Sequence, residues 1–192
     1  MTLVVTGISR LTINDLDRVI SRIGEHIQRI RFVHDLEKLT VASIGDVLSD
    51  AGINTPVGNA DIGLYAGIDS SIEDVKNEYF KGILSEGLLG ASPLFFPFTS
   101  PNSLIAQASI VFDIRGESIT LPVKCLFKDV VEYAVDCVRG RYTKMAIAGG
   151  ISRDLSFTGH SQIPLYRAEF FFIEDLKNAV ERKSKIYHSL SD

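Results

Sequence analysis

Short runs rich in β-branched residues alternate with runs of helical period along this chain, and that alternation constrains the fold most. Each amphipathic element must bury one face, and alternating strands and helices do so in a layered α/β domain. The apolar runs at residues 3–6, 62–66, 118–123, 144–148 and 168–173 read as strands. Between them, Leu39, Val41, Ile44, Val47 and Leu48 line one helix, which should stop at Asp50-Ala51-Gly52, where Gly52 can take positive φ. Ile20, Ile23, Ile27 and Ile30 are spaced for the buried face of an earlier helix, entered at residues 12–15. Ser70 or Ser71 can cap a third helix carrying Val75, Tyr79, Phe80 and Ile83.

A loop rich in aromatics follows at residues 86–101, and its Phe95, Phe96 and Phe98 are expected to fill core beneath it, with an exposed recognition surface as the alternative. Further helices are expected at residues 103–112, 125–139 and 174–183. Gly149-Gly150 should end the strand before it, leaving an irregular stretch up to Arg167. The last of these helices leads to Ile186-Tyr187.

The 192 residues suit one domain spanning residues 1–192, and 45% apolar content supplies a core. The net charge of −4 lacks the concentrated positive charge that nucleic acid requires. No apolar run reaches the ~18 to 20 residues of a membrane span, and the opening MTLVVTGISR is too short for a secretory signal, so a cytoplasmic protein is expected. Cys125 and Cys137 are far from CxxC spacing and the four histidines are scattered, so no metal, disulfide framework or cofactor is expected.

Several blocks, taken in order, resemble the N-terminal half of a β-ketoacyl synthase, a member of the thiolase-fold family. They are Val4-Val5-Thr6-Gly7-Ile8, Leu48-Ser49-Asp50-Ala51-Gly52-Ile53 before Ile62-Gly63-Leu64, and Ser100-Pro101-Asn102 before Ala106-Gln107-Ala108-Ser109-Ile110 and Ile114-Arg115-Gly116. Met145 to Gly150, Ala168 to Leu176 and Lys185-Ile186-Tyr187 continue the series. The resemblance implies a thiolase-like half-fold: a mixed five-stranded sheet with helices on both faces. It also implies that Cys125, at the family's distance beyond Gly116, is the candidate nucleophile.

A Cys at a helix start is favoured as thiolate by the helix dipole and by a nearby ammonium such as Lys124. A buried inert Cys is the plain alternative, and Cys137 reads as core. His160, in Thr158-Gly159-His160-Ser161, is the candidate base, with a solvated loop histidine as its alternative. Where the family has small residues after its Cys, this chain has Leu126 and Phe127, the expected wall or plug of an acyl channel.

The family's two catalytic histidines come from a C-terminal repeat that this sequence does not contain, so autonomous condensation is not expected. The resemblance implies a non-catalytic or accessory subunit of fatty-acid or polyketide-type biosynthesis. Expected partners are a second copy of the chain, a full-length ketosynthase in a heterodimer, or an acyl carrier protein meeting Arg139, Arg141 and Lys144. The alternative is an acyltransferase or thioester hydrolase with Cys125 as nucleophile. Pro122, lacking an N–H, should sit at a sheet edge and shorten any pairing there.

Overall fold

The computed structural model describes residues 1–23, 34–58, 61–123, 127–158 and 161–190. Its elements are β1 (Leu3–Thr12), α1 (Leu16–Ile23), α2 (Asp35–Asp50), β2 (Ile62–Ile68), α3 (Glu73–Glu86), α4 (Asn102–Phe112), β3 (Ser118–Pro122), α5 (Lys128–Arg139), β4 (Met145–Thr158), β5 (Ser161–Asp175), α6 (Leu176–Glu181) and β6 (His188–Leu190). The strands form one mixed sheet in the order β3-β2-β4-β5-β1-β6. β2 runs parallel to β3 and β4, whereas β5 is antiparallel to β4 and β1, and β6 antiparallel to β1. The described sheet therefore has six strands where five were expected, the additional one being the three-residue β6 on the edge.

Helices cover both faces, as the alternating pattern requires. On one face α1, α2 and α4 pack Leu36, Leu39, Ile44, Leu48 and Phe112 against Leu64, Ile147, Phe170 and Phe172. On the other, α5 packs Val130, Ala134, Cys137 and Val138 against Tyr65, Ala146, Ala148 and Ile173. α2 is buried on nearly every side, as a central core helix must be. It opens on a capping box in which His34 Nδ1 accepts from Leu36 N at 3.1 Å and Glu37 Oε2 accepts from His34 N at 3.4 Å. It ends as expected, with Gly52 at φ 68°.

Other expectations are corrected. Gly149-Gly150 does not end β4, which continues to Thr158, and the stretch expected to be irregular is the outer part of the β4–β5 hairpin. The two glycines permit close packing rather than a turn: a Cβ on Gly149 would stand 2.0 Å from the Glu169 carbonyl oxygen. α3 is preceded by a 3-10 turn at Ser70–Ile72, so Ile72 occupies its N-cap and no side chain caps it. Of its expected apolar face only Val75 is buried, and Phe80 is 55% exposed.

Within the aromatic loop Phe98 is buried, Phe95 is half-buried and Phe96 is 62% exposed, because the 3-10 turn Phe96–Thr99 points successive rings in different directions. Val19 is buried and Ile20 packs against the core, while Ile27 and Ile30 lie outside the described residues. The helix expected at 174–183 spans only Leu176–Glu181, because Asp175, still extended in β5, accepts from Lys177 N and caps it. β6 lies at His188–Leu190, just after the Lys185-Ile186-Tyr187 block, and Tyr187 N already donates to Val5 O at 2.9 Å. Among the described residues no helix is long and apolar enough to cross a membrane.

Candidate functional site

The carboxyl ends of the parallel strands β3, β2 and β4 lie side by side, and in open α/β sheets such ends form crevices. The connection from β3 to α5 crosses this end. Val123 N donates to Ile68 O at 3.1 Å, fixing the near side of the connection to β2. On the far side, Phe127 O accepts from Val131 N at 3.0 Å, the first hydrogen bond of α5. Cys125 and Leu126 lie outside the described residues, as does His160.

The helix expected to start at residue 125 begins instead at Lys128, with Phe127 in its N-cap and no side-chain cap. Phenylalanine offers no acceptor, so the N-cap side chain leaves the first amides of α5 and the positive end of its dipole unmet.

Phe127 is the site residue whose surroundings the structure describes best. Its ring lies over the backbones of β2 and β4 where two glycines stand in register, Gly67 opposite Gly150. A Cβ on Gly150 would come within 2.3 Å of the Phe127 ring, and one on Gly67 within 3.4 Å. Only glycines leave the sheet flat enough here for an aromatic ring to rest on it. Phe127 also lines a groove of about 690 Å³ between α5 and the β5–β6 side of the sheet, with Val131, Val135, Phe171 and Leu190 as its apolar wall.

The same sheet end holds a polar cluster that sequence reasoning missed. Asp69, just beyond β2, accepts from Arg153 N at 3.2 Å. Arg153 Nη2 lies 2.8 Å from Asp74 Oδ1 of α3, and Tyr166 Oη donates to the other Asp74 oxygen. Arg153 and Tyr166 face each other across β4 and β5, and the His34 ring meets Tyr166 edge-on at 6.1 Å. Burial, together with the Asp74 carboxylate, holds the Tyr166 phenol far above its ordinary pKa. The signal in the sequence was period-2 spacing of Ile151, Arg153, Leu155 and Phe157, obscured by the preceding Gly-Gly.

Cys137 is buried against Tyr65 in the core, as expected. Tyr65 donates to Glu117 Oε2 at 2.8 Å, and burial first, then this carboxylate, raises its pKa strongly. Of the basic residues near the end of α5, Lys144 pairs with Asp61 at 3.0 Å. Pro122 closes β3, which is an edge strand.

No curated protein matches the chain. Among solved structures it is similar to the ishigamide ketosynthase/chain length factor, with 16% identity, a TM-score of 0.77, and coverage of 98% of this chain and 62% of that one. A type II polyketide synthase acyl-carrier protein in complex with its ketosynthase bound to the hexaketide gives 17% identity and a TM-score of 0.71, over 100% of this chain and 67% of that one. A β-ketoacyl synthase from Burkholderia phymatum STM815 gives 12% identity and a TM-score of 0.66, over 98% of this chain and 62% of that one. These likenesses establish a shared fold, and the chain spans about three fifths of the ishigamide and Burkholderia structures. The family model described as Beta-ketoacyl synthase, N-terminal domain, matches residues 7–165. With that match over most of its length, and with the strand order and helix layers described above, the chain belongs to the β-ketoacyl synthase N-terminal domain family.

Proposed function

We propose that this chain is an accessory ketosynthase-type subunit of fatty-acid or polyketide biosynthesis, which binds an acyl group, an acyl carrier protein or a full-length synthase without itself condensing acyl units. The observation that carries this reading is the seat of Phe127. A half-buried aromatic ring, two residues beyond Cys125 in sequence, rests on Gly67 and Gly150 near the carboxyl end of β2. Such a ring acts as a wall or plug of the acyl channel, with Leu126 as its neighbour in sequence. The likeness to a ketosynthase/chain length factor and to a ketosynthase bound by an acyl-carrier protein supports the partner classes. The chain then works as a homo-oligomer or as the lesser member of a heterodimer with a complete ketosynthase.

A second reading is favoured by the uncapped start of α5 close after Cys125, whose dipole stabilises a thiolate. In it His160 takes the Cys125 thiol proton, Cys125 Sγ attacks a thioester carbonyl, the donor thiolate leaves and takes that proton from His160, and the acyl group stays on Cys125 until an acceptor or water removes it. Intact-mass measurement of wild type and Cys125→Ala after incubation with acyl thioesters of coenzyme A and of carrier protein separates the two. The accessory reading expects no adduct, together with co-purification of a ketosynthase or carrier protein. A Cys125-dependent acyl adduct overturns it in favour of acyl transfer or thioester hydrolysis.

A further inference from the structure

The arm that joins α3 to α4 holds an apolar face in solvent. Phe80 and Leu84 stand four residues apart and share one stripe of α3. Leu84 lies about two and a half turns beyond Val75, the buried residue of this helix, and so points away from the core. At Gly87, with φ 65°, the chain turns back into a 3-10 turn, Gly87–Gly90. Leu84, Leu88 and Leu89 are 86%, 87% and 96% exposed, and Leu94 and Phe96 further along are exposed as well.

This face belongs to one folded unit. Gly82 and Gly90 press backbone to backbone: a Cβ on Gly90 would stand 2.1 Å from Gly82 O, which seats the first 3-10 turn on α3. The Tyr79 ring meets Phe80 at 5.8 Å and Phe96 at 6.0 Å, which ties the second turn to the same helix. A surface held this way pays little ordering entropy on binding. Phe80, Leu84, Leu88, Leu89, Leu94 and Phe96 together expose on the order of 800 Å². That exceeds the roughly 300–600 Å² of the largest apolar patch on a typical monomer and matches the ~800 Å² that each partner of a stable pair buries. Charges of both signs border it, with Glu78 and Glu86 beside Lys81, so the face selects neither a strongly acidic nor a strongly basic partner. A two-fold copy of the same arm returns an apolar face of equal size and the same mixed border. The open sheet edge at β3 offers less to a second copy, with five residues of which the last is Pro122.

We infer that a second copy of this chain covers the face, the two arms packing helix to helix about a two-fold axis with Leu84 near its centre. The inference rests on the homo-oligomeric form of the proposed function and gives it a surface. It does not depend on whether either copy carries an acyl group.

Sedimentation velocity of the full chain over the micromolar range is expected to show a reversible dimer. Leu84→Asp should weaken association roughly tenfold or more, because its carboxylate would be buried against apolar surface. Leu84→Asp combined with Leu88→Asp should leave a monomer. Both positions are exposed in the single chain, so the variants should fold and keep the wild-type circular dichroism spectrum. Val180→Asp, at an exposed apolar position of α6, should leave association unchanged. A chain that stays monomeric throughout, a dimer indifferent to Leu84→Asp, or one weakened equally by Val180→Asp overturns the inference. If a monomeric chain still co-purifies a ketosynthase or a carrier protein, the accessory reading stands without this one; if it co-purifies neither, both fall.

Discussion

The ring of Phe127 lies so close to the backbone of Gly150 that a single added methyl group there would stand 2.3 Å from two of its carbons. The same methyl group would come within 2.4 Å of the Gly67 carbonyl oxygen, so it meets rigid backbone as well as a ring that can move. Gly150→Ala should therefore displace Phe127 and destabilise the fold by about 2 kcal/mol or more, the range of overpacking changes. Phe127→Ala should cost a similar amount through lost packing and speed the reaction of Cys125 with a thiol reagent. Urea unfolding and labelling kinetics check the pair. Unchanged labelling in Phe127→Ala would remove the plug from the proposed function.

Arg182 and Glu174 form an ion pair across the end of β5 and α6. Arg182 Nη2 sits 2.6 Å from Glu174 Oε1, whose side chain is fully buried, while the arginine is 28% exposed. Thr6 Oγ1 donates to the same carboxylate oxygen at 2.6 Å, and Arg182 Nη2 reaches Ala51 O at 3.2 Å. Removing the guanidinium strands a buried carboxylate, so Arg182→Met should destabilise by about 3 kcal/mol. Arg182→Met combined with Glu174→Gln should recover a good part of that loss. A double-mutant cycle measured by denaturant unfolding gives the coupling, and simple additivity would contradict the network.

Two phenols set the alkaline limit. Tyr65 and Tyr166 both have pKa values raised well above the usual ~10 for tyrosine, chiefly by burial and then by a hydrogen-bonded carboxylate. Above about pH 10 the unfolded chain loses these protons while the folded chain keeps them. Their contribution is complete below that pH and falls as pH rises toward the folded pKa values. Stability should decline above about pH 10, and Tyr65→Phe with Tyr166→Phe should flatten that decline. A slope unchanged in the double variant would place its origin elsewhere.

Asp15 gives the opposite sign. It accepts from Thr12 N and Thr12 Oγ1, both at 2.9 Å, and the backbone bond leads in lowering its pKa below the usual ~3.9. The stabilisation is present above about pH 4 and disappears as pH falls through the lowered folded value. Asp15→Ala should cost about 1 kcal/mol at pH 7, as loss of a cap does. The two proteins should converge in stability below about pH 3 if the ionised carboxylate is responsible.

The elements that could be read from the sequence are those whose pattern is dictated by local burial. Leu39, Val41, Ile44, Val47 and Leu48 announced α2 because every one of them meets core. The β4–β5 hairpin could not be read in the same way. Gly149 and Gly150 look like punctuation in a linear sequence, and only the approach of Glu169 O and of Phe127 explains them as packing devices. Thr158 pairs with Ser161, so the two strands close on each other within a stretch of sequence that the glycine pair overshadowed. Phe95, Phe96 and Phe98 show the limit of composition, because one 3-10 turn sends one ring into the core and another into solvent.

At the site, Phe127 was legible as a bulky residue in an unusual place. Its glycine seat depends on strands far apart in sequence, and no local pattern encodes it.

β1 occupies an inner position of the sheet, and both of its neighbours, β5 and β6, come from residues 161–190. Its partners are synthesised more than 150 residues after it: Leu3 pairs with Asp175 and Leu190. Throughout most of synthesis an apolar segment, Leu3-Val4-Val5, has no edge to join, and pairings this distant form slowly. During synthesis this apolar segment waits unpaired until residues 161–190 have been made, and products truncated before them should aggregate through it.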